Sequence, residues 1–245
     1  MDRISAAAGR RIAHFLQKQT KGYRALTVMP PARLFAALLP GDVLLIVGDR
    51  RISAAIKYLT HSTWSHAAFY MGAGELIEAD VEAGVRSVPL SYYNHLNTRI
   101  CRPVNLTPED MARVMAFMRG SIGKRYDLKN VVDLVRYLLP TPPVPQRFRR
   151  RMLALGSGDP TRAICSTLIA EAFETVRYPI LPEIRPDGSD PAAREILHIR
   201  HHSLFTPRDF DLSPYFRIIK PTADGSFDYK ALTLYDDATG GPAPA

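Results

Sequence analysis

The 245-residue sequence predicts an α+β protein on three observations. Short strand-like segments are concentrated between residues 43 and 102, with turn residues between them. Helical patterns with one apolar face follow, at 107–120 and from Cys165 to about Val176. Hydrophobic residues make up 46% and charged residues 23% of the chain, which is enough apolar material for a full core. Strands followed by helices are typical of the α+β class.

The strands are predicted from apolar runs and from the turns that bound them. Val43 to Val47 is a continuous apolar run that follows a turn, as in a buried strand. Gly72-Ala73-Gly74 is a short hairpin loop that joins two further strands, since glycine adopts positive φ at little cost. We predict strands at 43–47, 65–71, 75–80, 84–88, 98–102 and 215–219.

The clearest helix start is Thr107-Pro108-Glu109-Asp110. Thr107 can cap the helix, proline suits the first helical position, and acidic residues favour the positive end of the helix dipole. Four apolar residues then fall on one face, as core residues do, and Gly120 marks the end. Further helical segments are predicted at 52–59, 128–139 and 165–176.

The chain divides into three predicted regions. Residues 1–39 hold an amphipathic helix at 4–18 and a proline-containing linker or wrapping segment. Residues 40–220 form the main domain, and 221–245 form a flexible tail by composition. The basic N-terminal helix suits either packing on its own domain, which we favour, or an anionic lipid surface.

The charge balance favours anionic partners without choosing among them. Lys and Arg outnumber Asp and Glu by 32 to 24, a net charge of +8. This excess does not by itself indicate nucleic acid, and we do not expect that partner. No stretch approaches the roughly 20 apolar residues of a membrane span, and the N-terminus lacks a signal-peptide pattern. We therefore expect a cytoplasmic protein, with peripheral association with the inner membrane left open.

Cys165 is the candidate nucleophile. It lies in the first turn of a predicted helix, where unpaired N–H groups and the helix dipole favour negative charge. A thiol reacts well only as a thiolate, so a lowered pKa is required. The alternative is that Cys165 is a small buried residue. Cys101 lies within a predicted strand and is interpreted as structural, and no disulfide is expected.

His66 and Glu78 are predicted to be neighbours on the two strands of the hairpin. A register that pairs Met71 with Glu75 places His66 and Glu78 on one face as diagonal neighbours. A carboxylate there can fix the tautomer of the imidazole and stabilise its cation. Glu78 also lies among apolar residues, where a buried acid needs a partner. Two rival carboxylates follow it, Asp80 and Glu82.

Several short motifs occur in a specific order: Gly41-Asp42-Val43-Leu44-Leu45, Ile52-Ser53 with Ile56-Lys57, Trp64-Ser65-His66-Ala67, Leu76-Ile77-Glu78-Ala79 with Gly84-Val85, Tyr126-Asp127, and Cys165-Ser166. In this order they resemble the permuted NlpC/P60-type papain-like hydrolases of the YiiX/YebB group. The longer match, with TPPVP and PTRAICSTLIA, is similar to bacterial lipo-like proteins. The resemblance covers roughly residues 40–180. Papain-like enzymes usually place the Cys before the His, whereas in the permuted group the Cys helix comes last.

The resemblance implies a circularly permuted papain-like fold, with a small, mostly antiparallel sheet packed against helices. It places the nucleophile on Cys165, the base on His66 and the third polar residue on Glu78, without metal or cofactor. Tyr126 is a candidate substrate-binding residue, or alternatively a buried tyrosine with a satisfied hydroxyl. Ser65 and Ser166, beside the predicted base and nucleophile, are further substrate-binding candidates.

The predicted function is a cysteine hydrolase that cleaves an amide or acyl bond in a small amide, a peptide or a lipid. One alternative is an acyltransferase with the same triad, similar to lecithin:retinol acyltransferase. The other is a non-catalytic binding module on the same fold.

Two further clusters are weaker candidates. The histidines of His198-Ile199-Arg200-His201-His202 lack an acid or cysteine at ligand spacing, so no metal site is expected. The cluster of Arg147 and 149–151 suits either phosphate and lipid head groups or a solvated loop.

Overall fold

The computed structural model describes residues 18–19, 30–80, 83–124, 164–185, 196–198, 205–220, 235–236 and 241–242. Its strands are β1 (Val43–Ile46), β2 (His66–Gly72), β3 (Glu75–Asp80), β4 (Gly84–Pro89), β5 (Thr98–Pro103), β6 (Glu183–Arg185), β7 (Ile196–His198), β8 (Phe216–Ile219), β9 (Tyr235–Asp236) and β10 (Gly241–Pro242). Six of them form an antiparallel sheet in the order β4-β3-β2-β1-β5-β8. The six strands predicted from the sequence are these six, each within one or two residues.

The hairpin of β2 and β3 contains a β-bulge near its turn. Phe69 lies opposite Ile77, in the register that places His66 and Glu78 on one face. The predicted Met71–Glu75 pair is wrong, because Gly72 pairs with Glu75 after the register shifts. The extra residue of β2 is Met71, and the next residue, Gly72, has a φ of 99° that is costly for other residues. The bulge therefore leaves the functional end of the hairpin in the predicted register.

The helices are α1 (Pro31–Ala37), α2 (Arg51–Thr60), α3 (Pro108–Gly120), α4 (Ile164–Glu174) and α5 (Pro207–Leu212), with a 3₁₀ turn at Leu90–Tyr93. The start of α3 is as predicted, since the Thr107 hydroxyl accepts a hydrogen bond from the Asp110 N–H at 3.1 Å. With the antiparallel sheet, these helices confirm the α+β class.

One face of the sheet packs against α3 and α4. In β1 to β5 the odd-numbered residues form this face, because side chains alternate along a strand, and in β8 it is formed by Phe216 and Ile218. The apolar face of α4 contacts β2 and β3 and completes the core on that side. Representative core residues are Leu45, Phe69, Ile77, Val114, Met118, Leu168, Ile169 and Phe173.

The other face is covered by α1 and the 3₁₀ turn. Leu34 and Leu38, from α1 and its C-cap, pack against even-numbered strand residues such as Tyr70 and Leu76. The prolines of residues 21–40 predict a linker or wrapping segment, and within it the structure forms the helix at 31–37, which that prediction does not contain. Pro31 begins this helix, because proline is favoured in the first turn.

Some predictions lie outside the described residues, among them the helices at 4–18 and 128–139. In the predicted tail the structure describes four residues, which pair as β9 and β10. Among the described helices, none is long and apolar enough to cross a membrane.

Candidate active site

The candidate site lies at the end of the sheet where β1 ends and β2 begins. His66 is the first residue of β2 and pairs with Ile46, the last residue of β1. Its side chain is 21% exposed, whereas the strand residues that follow it, Ala67 to Tyr70, are buried. The imidazole is therefore part of the sheet margin that solvent reaches.

Glu78 lies beside His66 on β3 and is almost completely buried, with 1% of its side chain exposed. Its Oε2 accepts a hydrogen bond from His66 Nε2 at 2.8 Å and another from the Tyr93 hydroxyl. Its Oε1 accepts a hydrogen bond from Nε of Arg86 at 2.9 Å and forms an ion pair with Nη2 of the same arginine at 2.8 Å. A buried carboxylate is costly unless it is paired and hydrogen-bonded, and this one has a partner on each oxygen.

Cys165 is the second residue of α4 and is 4% exposed. Its sulfur is hydrogen-bonded to the His66 side chain and to the backbone N–H groups of Ala67 and Ser166. Because Nε2 of the imidazole faces Glu78, Nδ1 is the nitrogen that remains for the sulfur. The structure thus brings the three predicted residues together in the order Cys165, His66, Glu78.

The charges of Cys165 and His66 stabilise each other. Burial alone would lower the pKa of His66, but the charge of Cys165 and hydrogen bonds with Cys165 and Glu78 raise it overall. Burial likewise opposes ionisation of Cys165, yet the charge and hydrogen bond of His66 lower the thiol pKa. The two shifts belong to the pair as a unit and favour a thiolate beside an imidazolium.

Glu78 is ionised in the same network. Burial would raise its pKa, but the hydrogen bond and charge of His66, then Tyr93 and Arg86, lower the pKa to about 2. The carboxylate therefore carries a full negative charge at neutral pH and stabilises the imidazolium.

The two predicted substrate-binding serines are both buried and bound to backbone. The Ser65 hydroxyl accepts a hydrogen bond from the Gly48 N–H at 2.9 Å and contacts the Ile46 carbonyl. The Ser166 hydroxyl donates to the Phe205 carbonyl at 2.9 Å. These hydroxyls fix the backbone on which His66 and Cys165 stand.

A short segment, residues 205–212, connects the elements of the site. Ser166 is bound to its first residue, Phe205. Near its other end, the Asp211 carboxylate accepts hydrogen bonds from Trp64 Nε1 at 3.0 Å and Arg99 Nη1 at 2.6 Å. The start of α4, the residues before His66 and β5 are thereby tied to one segment.

Sequence reasoning missed the roles of Arg86 and Tyr93. Arg86 lies directly opposite Glu78 in the β3–β4 register, so a register drawn for that hairpin would have found it. Tyr93 follows in a 3₁₀ turn, and no spacing rule relates such a turn to a strand. Of the rival carboxylates, Asp80 lies near Arg86 and Arg50 instead of His66.

Several candidates lie outside the described residues: Tyr126, Glu82, His201, His202 and the arginines at 147 and 149–151. Among the described residues, no group of three or more His, Cys, Asp or Glu side chains is arranged to hold a metal ion.

Comparison with known proteins identifies the family that this chain resembles. Residues 37–137 match the family described as permuted papain-like amidase enzyme, YaeF/YiiX, C92 family. The matched range contains His66 and Glu78 and ends before Cys165. It confirms the YiiX-like resemblance inferred from the order of the motifs.

A curated relative is the Probable lipoprotein peptidase YaeF of Escherichia coli (strain K12), 24% identical over 159 residues. The match covers 58% of this chain and 58% of that protein, so the chain spans a little over half of the relative's length. A solved structure, described as metalloprotein YiiX from Escherichia coli O157:H7, has 15% sequence identity and a TM-score of 0.46. That match covers 75% of this chain and 97% of the other.

Proposed function

We propose that the chain is a cysteine hydrolase of amide or acyl bonds, on the premise that residues 37–137 match the YaeF/YiiX family of permuted papain-like amidases. Cys165 is the nucleophile, His66 the general base and acid, and Glu78 the group that orients His66. The observation that carries the proposal is the continuous hydrogen-bonded chain from the Cys165 sulfur through the imidazole to a buried carboxylate.

The first half of the reaction forms an acyl-enzyme. The Cys165 thiolate attacks the carbonyl carbon, and the carbonyl π electrons move to the oxygen to give a tetrahedral intermediate. When the intermediate collapses, the C–N or C–O bond breaks and the His66 imidazolium gives its proton to the leaving group. The product at this stage is a thioester on Cys165 and a neutral imidazole.

The second half returns the enzyme to its starting state. Neutral His66 takes a proton from water, and the resulting hydroxide attacks the thioester carbonyl. The C–S bond breaks, the carboxylic acid product leaves, and the thiolate–imidazolium pair is restored. Glu78 keeps its charge throughout and holds the ring in one orientation.

The substrate class follows from the relative and from the site. The YaeF relative is named a lipoprotein peptidase, so peptides and acylated peptides are the first substrates to test. The positive charge of the chain, +8, favours substrates with an anionic group. Attack by a thiolate needs no metal.

The test is a trapped acyl-enzyme. Incubation with a p-nitrophenyl ester, followed by peptide mass spectrometry, is expected to show the acyl group on Cys165 and not on Cys101. Cys165→Ala should show no such adduct. Release of the acyl group to water indicates a hydrolase, whereas release to an added amine alone indicates an acyltransferase. If Cys165 is labelled no faster than Cys101, the chain is a binding module and the proposal is wrong.

A further inference from the structure

The surroundings of Glu78 carry an inference about two residues that contact its carboxylate, Arg86 and Tyr93. The two carboxylate oxygens have separate partners. Arg86 contacts Oε1 through an Nε hydrogen bond and an Nη2 ion pair, and His66 and Tyr93 share Oε2. With both oxygens engaged from different strands, the carboxylate cannot rotate away from the imidazole without losing a charged contact.

We propose that Arg86 and Tyr93 are positioning residues that keep Glu78 ionised and aligned with His66, and so keep Cys165 a thiolate in weakly acidic solution. This inference rests on the proposed function, since it concerns the same site. Neither residue is a catalytic residue, because each acts through Glu78.

The arrangement of charges explains why Arg86 is needed. Glu78 is 99% buried, and a lone buried carboxylate takes up a proton when its solvation is lost. The charge of His66 does not by itself secure the ionisation of Glu78, because that charge depends in turn on the charges of Cys165 and Glu78. The Arg86 guanidinium stays charged at every pH of interest, so the stabilisation that it gives the Glu78 carboxylate does not depend on the charge of His66.

The described charged or titratable groups near Glu78 face either its carboxylate or the partners of that carboxylate. His66 faces the carboxylate from β2, Arg86 from β4, and Tyr93 from the 3₁₀ turn. Tyr92 faces one of these partners, with its ring centroid 5.6 Å from Cζ of Arg86. Asp80, on the same strand, lies 3.6 Å from Arg86 Nη2 and 3.9 Å from Arg50 Nη1. Cys165 is hydrogen-bonded to His66, and its charge also acts on Tyr93.

Tyr93 contributes a hydroxyl that contacts Glu78 and an aromatic ring that lies near the imidazole of His66. Its hydroxyl donates to the same oxygen as His66, and its ring centroid lies 5.9 Å from that of the imidazole. Burial first, then the charge of Glu78, raises the pKa of Tyr93, so the phenol stays protonated and remains a donor.

The chain offers a matched control in Arg102. Its Nε and Nη2 each donate to the buried Asp42 at 2.8 Å, at the opposite end of β1 from His66. Arg86 and Arg102 are similarly exposed, at 33% and 26% of their side chains. Loss of either guanidinium removes the arginine partner of a buried carboxylate, but of these two carboxylates it is Glu78 that connects to Cys165 through His66.

The experiment measures the rate of Cys165 alkylation by iodoacetamide from pH 4 to 9 in the full chain, with Cys101 replaced by Ala. For Arg86→Met, we expect the acid midpoint to rise by about one pH unit and the rate at pH 5 to fall by up to about tenfold. The rate at pH 8 should change little. Arg86→Lys should restore most of the rate, Tyr93→Phe should give a smaller shift in the same direction, and Arg102→Met should match the parent protein.

Coupling to Glu78 is tested in the double variant. In a Glu78→Gln background, Arg86→Met should change the acid midpoint no further, since the group it acts through is gone. An unchanged midpoint in Arg86→Met, an equal shift in Arg102→Met, or additivity in the double variant would overturn the inference. If Arg86→Met does not fold, Tyr93→Phe decides: an upward shift supports the inference and an unchanged midpoint rejects it. A parent protein without fast alkylation at neutral pH would instead reject the proposed function.

Discussion

The two cysteines of the chain are both buried, but their surroundings shift the pKa of the thiol in opposite directions. Cys101 is 0% exposed in β5, between Val43 of β1 and Ile218 of β8. Burial raises its pKa, and the negative charge of Asp211 adds to that effect. Cys165 is 4% exposed, yet its pKa is lowered because His66 and two backbone N–H groups outweigh burial.

The comparison shows that the fraction of a thiol exposed to solvent does not decide its ionisation. A sulfur in the middle of a sheet has neighbours whose N–H groups are bound to other strands, so a negative charge there is unsupported. A sulfur in the first turn of a helix has N–H donors without helical partners, and a histidine adds a full positive charge. For the ionisation of a cysteine, its position in a strand or in the first turn of a helix therefore matters more than how deeply it is buried.

The largest effect is expected from removal of the Cys165 sulfur. Cys165→Ser should keep the fold and reduce turnover by on the order of 10⁴-fold or more, since the serine hydroxyl is a weak nucleophile. Turnover of a p-nitrophenyl ester and near-UV circular dichroism check both parts. A folded Cys165→Ser variant with full activity would end the assignment of the nucleophile.

Replacement of His66 should be nearly as severe. In His66→Asn the thiol loses its charged partner, so its pKa should return to or above the ordinary value of about 8.5. Only a few per cent of the sulfur is then thiolate at pH 7, and alkylation should slow by roughly thirtyfold. Turnover should fall further because the general acid is also lost. A wild-type alkylation rate in this variant would show that the helix start alone makes the thiolate.

Glu78→Gln is expected to have an intermediate effect, a loss of roughly tenfold to hundredfold in turnover. The amide keeps the size of the side chain but not the charge that stabilises the imidazolium. The nucleophile and base remain, so some activity should survive. Loss of soluble protein instead would show that the role of Glu78 is structural, and thermal unfolding of the purified variant separates the two outcomes.

Acid unfolding should differ between the parent protein and the Glu78→Gln variant. The pKa of Glu78 in the folded protein is about 2, below its ordinary value, so its contribution to stability is complete above about pH 4.5. That contribution is lost as the pH falls toward 2. Urea unfolding at several pH values should show this loss in the parent protein and a weaker acid dependence in Glu78→Gln. Equal acid dependence in both proteins would contradict the pairing.

The smallest effect is expected at the other cysteine. Cys101→Ala should leave turnover within about twofold, because the residue is separated from the reacting groups. It should lower the free energy of unfolding by about 1–2 kcal/mol, since a buried side chain is shortened. Chemical denaturation measures this change. A large loss of activity in a folded Cys101→Ala protein would contradict the contrast drawn between the two thiols.

Local patterns predicted the fold well where one periodicity dominated. The apolar run after Asp42 and the glycine-joined hairpin gave the central strands, and the cap at Thr107 gave the start of α3. The helix at 31–37 was missed because proline was treated as a breaker and not as a first-turn residue. The bulge at Met71 was missed because nothing in a hairpin sequence states how many residues a strand will leave unpaired.

The sequence predicted the part of the site whose residues are close together in the chain. His66 and Glu78 are close in sequence, so strand register alone could relate them, and the motif order supplied Cys165. Tyr93 contacts Glu78 from a turn that follows another strand, and the segment at 205–212 reaches the site from far along the chain. Such contacts depend on tertiary packing, which no local pattern encodes.

The central claim is that one buried sulfur is a thiolate at neutral pH and the other is not. Thiolate absorbance at 240 nm, followed from pH 4 to 10 in Cys101→Ala and in Cys165→Ala, measures this directly. The account predicts a thiolate signal in Cys101→Ala that persists at least about two pH units below 8.5, and no signal below about pH 8.5 in Cys165→Ala. A midpoint at or above about 8.5 for the Cys165 sulfur would contradict it.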